Sequence, residues 1–297
     1  MDQADLAKKT LIGTSGWHRL EGFYPPRTRQ PDMLPFYAEH FPVVEVATTF
    51  QGIPGEDRVR EWADVVPDGF VFDVLAFGGL TLHQRRPGQA APLPGMPWSE
   101  VAVEPPDVIF EEFAAAIAPL TEAGKLGLLM LQFPPWFDWG PDSFRYLERC
   151  RAQLPGLPLG VEFRNPSWFL PEPCLEETLD HLIDLEIALT ASDFPPAREA
   201  PLLQSQVSLS EIAPVRLHGR KEGEWDRIAD TAATVAEYPY SESDLATLAE
   251  LTLELSGEAD RVHVIFNVLP SEAAVASARA FGELLLTEPE DGYTAYQ

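Results

Sequence analysis

Hydrophobic positions along the chain fall into two alternating rhythms. Eight short apolar segments recur: Thr10–Thr14, Val43–Ala47, Phe70–Leu75, Leu126–Gln132, Leu159–Phe163, Ile187–Ser192, Val215–Leu217 and Arg261–Phe266. Their near-continuous apolar character, several of them rich in Val and Ile, suits parallel strands covered on both faces. Between most of them, apolar residues recur at helical spacing. The pattern predicts helices from Pro31 and Asp32 to His40, then Glu56–Val65, Pro106–Ala123, Asp142–Leu154, Leu175–Leu185 and Glu272–Leu286. Ser241-Glu-Ser-Asp244 reads as a capping box opening a helix to Leu255, with Gly257 behind it. Two connections, Phe77–Pro105 and Phe194–Pro214, carry no clear helical period. Eight strands alternating with helices predict an α/β protein, a single (β/α)8 TIM-type barrel with long loops after strands 3 and 6. Such barrels take about 250 residues, more with insertions, and this chain has 297. No internal repeat or second core is visible, so one domain over 1–297 is expected, with 1–9 and 287–297 as loose ends.

The strand ends are where the pattern departs from a simple core. Leu159-Gly-Val-Glu-Phe-Arg164 reads as a buried strand leaving in charge, and Pro166 stops it because proline donates no ladder hydrogen bond. Glu162 and Arg164, two apart, project from one face. Polar residues gather at the other strand ends as well: Ser15 and Trp17, Glu45 and Thr49, Gln132, Asp193, Arg216 and His218, Asn267. In a parallel barrel the C-terminal ends of the strands hold the ligand site.

Composition narrows the partners. The net charge is −26, which repels phosphate backbones over the surface as a whole and argues against nucleic acid. Only four lysines (Lys8, Lys9, Lys125, Lys221) stand among the basic residues. Arg164, Arg216, Arg220 and Lys221 lie on or just past neighbouring strands, a basic focus that a cleft would strengthen. No apolar run reaches the roughly 20 residues of a membrane span, and the N-terminal stretch lacks the apolar segment of a signal peptide. Cytoplasmic localisation is therefore the expectation. Cys150 and Cys174 lack the spaced His partners of a zinc site, and their disulfide state is left open.

The motifs Gly13-Thr-Ser-Gly-Trp17, Phe23-Tyr-Pro25, Val44-Glu-Val-Ala-Thr-Thr-Phe50, Leu131-Gln-Phe-Pro-Pro135, Val161-Glu-Phe-Arg-Asn-Pro-Ser-Trp168, Val215-Arg-Leu-His-Gly219 and Phe266-Asn267 together resemble the YecE-like family (domain of unknown function 72). The resemblance runs over about 11–286. It implies a TIM barrel and no activity. The family commonly has a lysine at the end of strand 3, where this chain has Leu75, and a tyrosine where it has Gln51. Paired asparagines commonly end the last strand, where Asn267-Val268 stands here, and a glycine-rich stretch follows where this chain has Leu269–Ala274. If that lysine binds or activates a substrate, the step is lost or altered in this chain.

These readings converge on an enzyme for a small anionic or sugar-like substrate, bearing phosphate or carboxylate, at the C-terminal mouth. Glu45, Glu162 and His218 are the candidate catalytic groups, as paired acid and base with a proton shuttle. Trp17, Gln132, Arg164, Asp193, Arg216 and Asn267 are the candidate substrate-binding groups. Neither a metal nor a cofactor is expected. His83, Glu45, Glu162, Asp193 and His218 are metal-ligand types but lack tight local spacing. His18, His40, His181 and His263 are read as surface or packing residues. Two alternatives remain: a metal-dependent phosphoester or nucleic-acid enzyme, and a non-catalytic ligand-binding protein that has lost the lysine.

Overall fold

The computed structural model describes residues 9–18, 20, 22–84, 98–197, 203, 205–224, 237–268 and 272–286. In chain order the strands are β1 (Thr10–Ser15), β2 (Val43–Val46), β3 (Val71–Leu75), β4 (Leu126–Phe133), β5 (Leu159–Phe163), β6 (Ile187–Leu189), β7 (Ala191–Asp193), β8 (Ala213–Leu217) and β9 (Val262–Phe266). The helices are α1 (Gln30–Ala38), α2 (Glu56–Asp64), α3 (Trp98–Val101), α4 (Asp107–Glu122), α5 (Pro141–Gln153), α6 (Glu172–Asp184), α7 (Glu242–Glu258) and α8 (Glu272–Leu286). All strand pairs are parallel, in the order β6-β5-β4-β3-β2-β1-β9-β8-β7.

The predicted sixth strand is present as two pieces. β6 pairs with β5 and β7 pairs with β8, with Thr190 between them. The Thr190 N–H still donates to Val161 O at 2.9 Å. One chain passage thus changes neighbour at Thr190 and joins the two ends of the sheet, giving a nearly closed, TIM-like α/β barrel. The reason is geometric: strands in a barrel tilt and stagger, so one passage can be shared between two neighbours at different heights.

The helices cover the outer face of the sheet. Phe110, Phe113, Ile117 and Leu120 of α4 are fully buried in the main core. After β5, Phe163 stacks face to face on Trp168 at 3.9 Å, and Phe137 continues the stack at 5.4 Å. Trp168 Nε1 donates to Phe137 O at 2.7 Å, so the indole is both packed and satisfied. The predicted capping box forms: Ser241 Oγ accepts from Asp244 N at 3.2 Å, and Asp244 Oδ2 accepts from Ser241 N at 3.0 Å. The helix behind it runs past Gly257 to Glu258.

Inside the barrel, Gly13 is required by close approach, since a Cβ there would lie 2.0 Å from Val43 O. A mid-level apolar cluster holds Leu75, Leu128, Met130, Ala188 and Ile212. Leu75, standing where the family commonly has lysine, is fully buried in that cluster. Cys150 and Cys174 are both free thiols. Among the described residues no helix is long and apolar enough to cross a membrane. Of the predicted loops and ends, 1–8, 85–97, 198–202, 204, 269–271 and 287–297 lie outside the described residues.

Candidate functional site: a buried ionic network at the barrel mouth

Six inward positions near the C-terminal ends of the strands carry polar side chains in contact: Ser15, Glu45, Gln132, Glu162, Ser192 and Arg216. Strand register brings them to the mouth. Ser15 is level with Glu45, Gln132 with Glu162, and Ser192 with Arg216. Glu45 on β2 and Arg216 on β8 are separated in the sheet by β1 and β9, so their contact crosses the interior.

Arg216 grips Glu45 with two bonds, Nε to Oε2 at 2.8 Å and Nη2 to Oε1 at 3.0 Å. Its Nη1 donates to Glu162 Oε2 at 2.6 Å and to Gln132 Oε1 at 3.0 Å. Arg164 lies on the other side of Glu162, with Nε to Oε1 at 3.0 Å and Nη2 to Gln132 Oε1 at 2.9 Å. Ser192 Oγ donates to Glu162 Oε2 at 3.1 Å, and Ser15 Oγ to Glu45 Oε1 at 2.8 Å. Both arginines and both glutamates are at most 1% exposed. Each charge is therefore out of water and must be compensated locally. Two guanidinium groups against two carboxylates meet that demand, and Gln132 bridges the two guanidiniums as a shared acceptor.

The basic focus expected from sequence takes a different form. Arg164 and Arg216 are matched by Glu162 and Glu45. Arg220 points to Asp193 Oδ1 at 2.7 Å and Asp244 Oδ1 at 2.9 Å. Among these arginines, the charge is spent on carboxylates of the chain itself.

His218 sits directly on the network. Its Nε2 is 2.9 Å from Glu162 Oε2, and its Nδ1 is 3.2 Å from Asn267 Nδ2. Phe194 stacks on the imidazole at 4.8 Å and lies 5.9 Å from the Arg164 guanidinium. Burial lowers the His218 pKa and outweighs the pull of Glu162 in the other direction. Burial acts to raise the Glu162 pKa, but the charges of Arg216 and Arg164 beside it hold it well below the ordinary range. An ionised Glu162 accepts from Nε2–H of a neutral His218, which leaves the Nδ1 lone pair to accept from the Asn267 amide.

His83, which follows the strand 3 end, is a second histidine of the mouth. Burial, with help from the Arg164 charge, lowers its pKa to about 3. Its Nδ1 lies 3.0 Å from Thr81 Oγ1, while its Nε2 is buried without a hydrogen-bond partner among the described residues. Phe50 and Trp136 flank the ring at 4.7 and 6.0 Å.

Two residues singled out in sequence do not join the network. Asp193 follows the inward Ser192, so it points to the opposite face of the strand. There it takes Arg220 and accepts from Tyr240 Oη at 2.9 Å. Trp17 is buried against Trp62 at 5.5 Å, beneath the outer helices. It leaves the interior because Gly16 turns the chain with φ 80° directly after β1. Glu45, Gln132, Glu162, Arg164, Arg216, His218 and Asn267 do come together. The contributions of Ser192 and Phe194 were not anticipated. Strand alternation sets Ser192 and Asp193 on opposite faces without saying which is inward; a stacking phenyl carries no sequence signal. Among the described residues, no three His, Cys, Asp or Glu side chains are grouped so as to hold a metal ion.

Comparison with known proteins gives a family and no activity. The family described as "Protein of unknown function DUF72" matches residues 11–295. The UPF0759 protein YunF of Bacillus subtilis (strain 168) is 30% identical over 279 residues, covering 92% of this chain and 94% of YunF. The UPF0759 protein YecE of Escherichia coli (strain K12) is 31% identical over 134 residues, covering 45% of this chain and 42% of YecE. Among solved structures, a DUF72 family protein from Enterococcus faecalis V583 superposes with a TM-score of 0.76 at 25% identity, covering 94% of this chain and 98% of that one. A DUF72 family protein from Thermotoga maritima MSB8 gives 0.75 at 27% identity, covering 94% and 99%.

Proposed function

The chain belongs to the DUF72 family of proteins of unknown function, and from that premise we propose that it is a cytoplasmic enzyme acting on a small anionic or sugar-like substrate by proton transfer at the barrel mouth. The observation that carries this reading is the Glu162–His218 pair: a buried carboxylate 2.9 Å from a neutral imidazole. A carboxylate on one ring nitrogen fixes the tautomer and orientation, and the other nitrogen is left as the base.

In this arrangement the Asn267 amide swings off His218 Nδ1, 3.2 Å away at rest, the acidic group of the substrate takes its place and gives its proton to Nδ1, and the resulting imidazolium is stabilised by Glu162. Arg216 and Arg164 keep Glu162 ionised. Glu45 anchors Arg216, and it serves as a positioning residue in place of the second acid expected from the sequence. Gln132 Oε1 ties the two guanidiniums together by accepting from both. An ion pair in a core is no more stabilising than well-packed apolar groups of similar volume, so a network of this size at the functional end of a barrel is more economically read as chemistry than as packing.

The test uses a panel of inorganic phosphate, sugar phosphates, hydroxycarboxylates and free sugars. Binding is read by thermal shift, and proton abstraction by deuterium incorporation from D2O, followed by NMR. One class is expected to stabilise the protein and to exchange or react. His218→Gln is expected to keep the fold and the binding and to lose about 10²–10⁴ in rate. Binding without exchange or turnover favours a ligand-binding protein. A panel in which nothing binds the wild type overturns the reading.

A further inference from the structure

We propose that the N-terminal end of the barrel holds a second binding site, for a small neutral polyhydroxylated molecule, built around the Asp73–His263 pair. His263 lies toward the opposite end from the mouth, and Asp73, in register with Glu45, brings its carboxylate to it. His263 is four residues upstream of Asn267 on the same inward face, roughly 13 Å along the strand. It contacts Asp73 across the interior, with Nδ1 2.9 and 3.0 Å from the two carboxylate oxygens. Both side chains are buried, His263 at 2% and Asp73 at 5% exposure. This end of a barrel ordinarily serves stability, and its interior layers are dominated by bulky branched apolar residues. A buried carboxylate–imidazole pair in such a layer calls for a reason.

Three observations point to a ligand. Among the described residues His263 Nε2 is buried without a hydrogen-bond partner, and such groups are normally satisfied. His263 also lines a cavity of about 780 Å³ that opens at this end. Gly127 lines it too, and a Cβ there would lie 2.9 Å from His263 Cε1, so glycine lets the ring edge come up to the cavity wall. On binding, the ring turns so that Nε2 meets the ligand. Both Asp73 oxygens lie within 3.0 Å of Nδ1, so a modest turn keeps that bond.

The lining selects the ligand class. Glu211 and Asp260 supply acceptors and Arg261 supplies donors, while Ile212 offers an apolar face. Arg261 makes no side-chain hydrogen bond or ion pair among the described residues. Neighbouring carboxylates of a strongly acidic chain disfavour an anion. A hydroxyl donates and accepts alike, so it satisfies Nε2 whether that atom carries a proton or a lone pair. Carbon faces lie against the apolar wall, and hydroxyls reach the charged rim, as in other small-molecule sites.

The experiment is a titration of the 15N-histidine-labelled full chain with sorbitol, myo-inositol and D-glucose up to about 50 mM, the range of millimolar affinity. Inorganic phosphate and putrescine serve as charged comparisons. His263 is assigned by the signal lost in His263→Asn. Its ring nitrogens are expected to shift saturably with at least one polyol. Arg261→Ala and Glu211→Gln, both exposed and expected to fold, should each weaken binding about threefold to tenfold, the worth of one hydrogen bond. The proposal is overturned if no polyol moves the His263 signals, if only phosphate or putrescine does, or if both rim variants bind as the wild type does.

Discussion

Arg216 and Glu45 face each other across the barrel in a two-point fork, at 2.8 and 3.0 Å, with both side chains 1% exposed. Their strands are not neighbours, so the pair ties one wall of the barrel to another. The geometry makes Arg216 a structural hub first, because it also holds Glu162 and Gln132.

Arg216→Ala is expected to lose about 3–5 kcal/mol of stability, since two buried carboxylates are left without their partner. Arg216→Lys is expected to be destabilising too, because an ammonium cannot make the planar fork. Urea denaturation checks both. A loss below about 1 kcal/mol, the range of an exposed pair, would show that the network is open to water.

Stability is expected to fall on acidification in two stages. His218 and His83 have folded pKa values lowered by burial. Their contribution is complete above the ordinary histidine value of 6.5 and declines as pH falls below it, for His83 down to about 3. Glu162, held well below its ordinary 4.5, contributes above that pH and is lost as pH drops through its folded value. The limiting slope is about 1.4 kcal/mol per pH unit for each proton taken up. Denaturation midpoints between pH 8 and about pH 2, read in wild type and His218→Gln, test this. The variant should show a flatter decline below pH 6.5. An unchanged slope would mean that His218 is not held neutral by the fold.

Trp168→Ala is expected to cost about 3–5 kcal/mol, as for other fully buried aromatic truncations, because it empties the stack on Phe163 and frees Phe137 O. Trp168→Phe should lose less. Since Phe163 lies between Glu162 and Arg164, the Ala variant should also loosen the network. Calorimetry, with the histidine ring signals followed by NMR, reads both effects.

Cys150 and Cys174 should differ in reactivity. Burial pushes the Cys150 thiol far above its ordinary pKa, and thiols react as thiolates. Cys174 is half-buried at the start of α6. Native protein should react with one equivalent of an aromatic disulfide reagent at Cys174, and with a second only after denaturation. Fast modification of Cys150 in the folded protein would contradict the packing around α5.

The alternation of short apolar runs and amphipathic segments was enough to specify the barrel, because strand and helix periods are local properties that each segment carries by itself. The ends of β5 and α8, the capping box at Ser241 and the absence of a regular helix between Phe194 and Pro214 among the described residues follow the pattern closely. The same period-2 logic brought Glu45, Gln132, Glu162, Arg216 and Asn267 to one end of one interior. It could not say which charge meets which. Strand stagger and the passage shared at Thr190 decide that, and they turned two arginines that read as an anion trap into partners of Glu45 and Glu162. Asp193 shows the limit most plainly. One residue of shift along a strand reverses its face, so only the closed sheet puts Ser192 in the interior and Asp193 outside it. The Asp73–His263 contact joins residues 190 positions apart. It became visible only once β1 and β2 were placed between their strands, because proximity across a barrel is a property of closure and not of any segment.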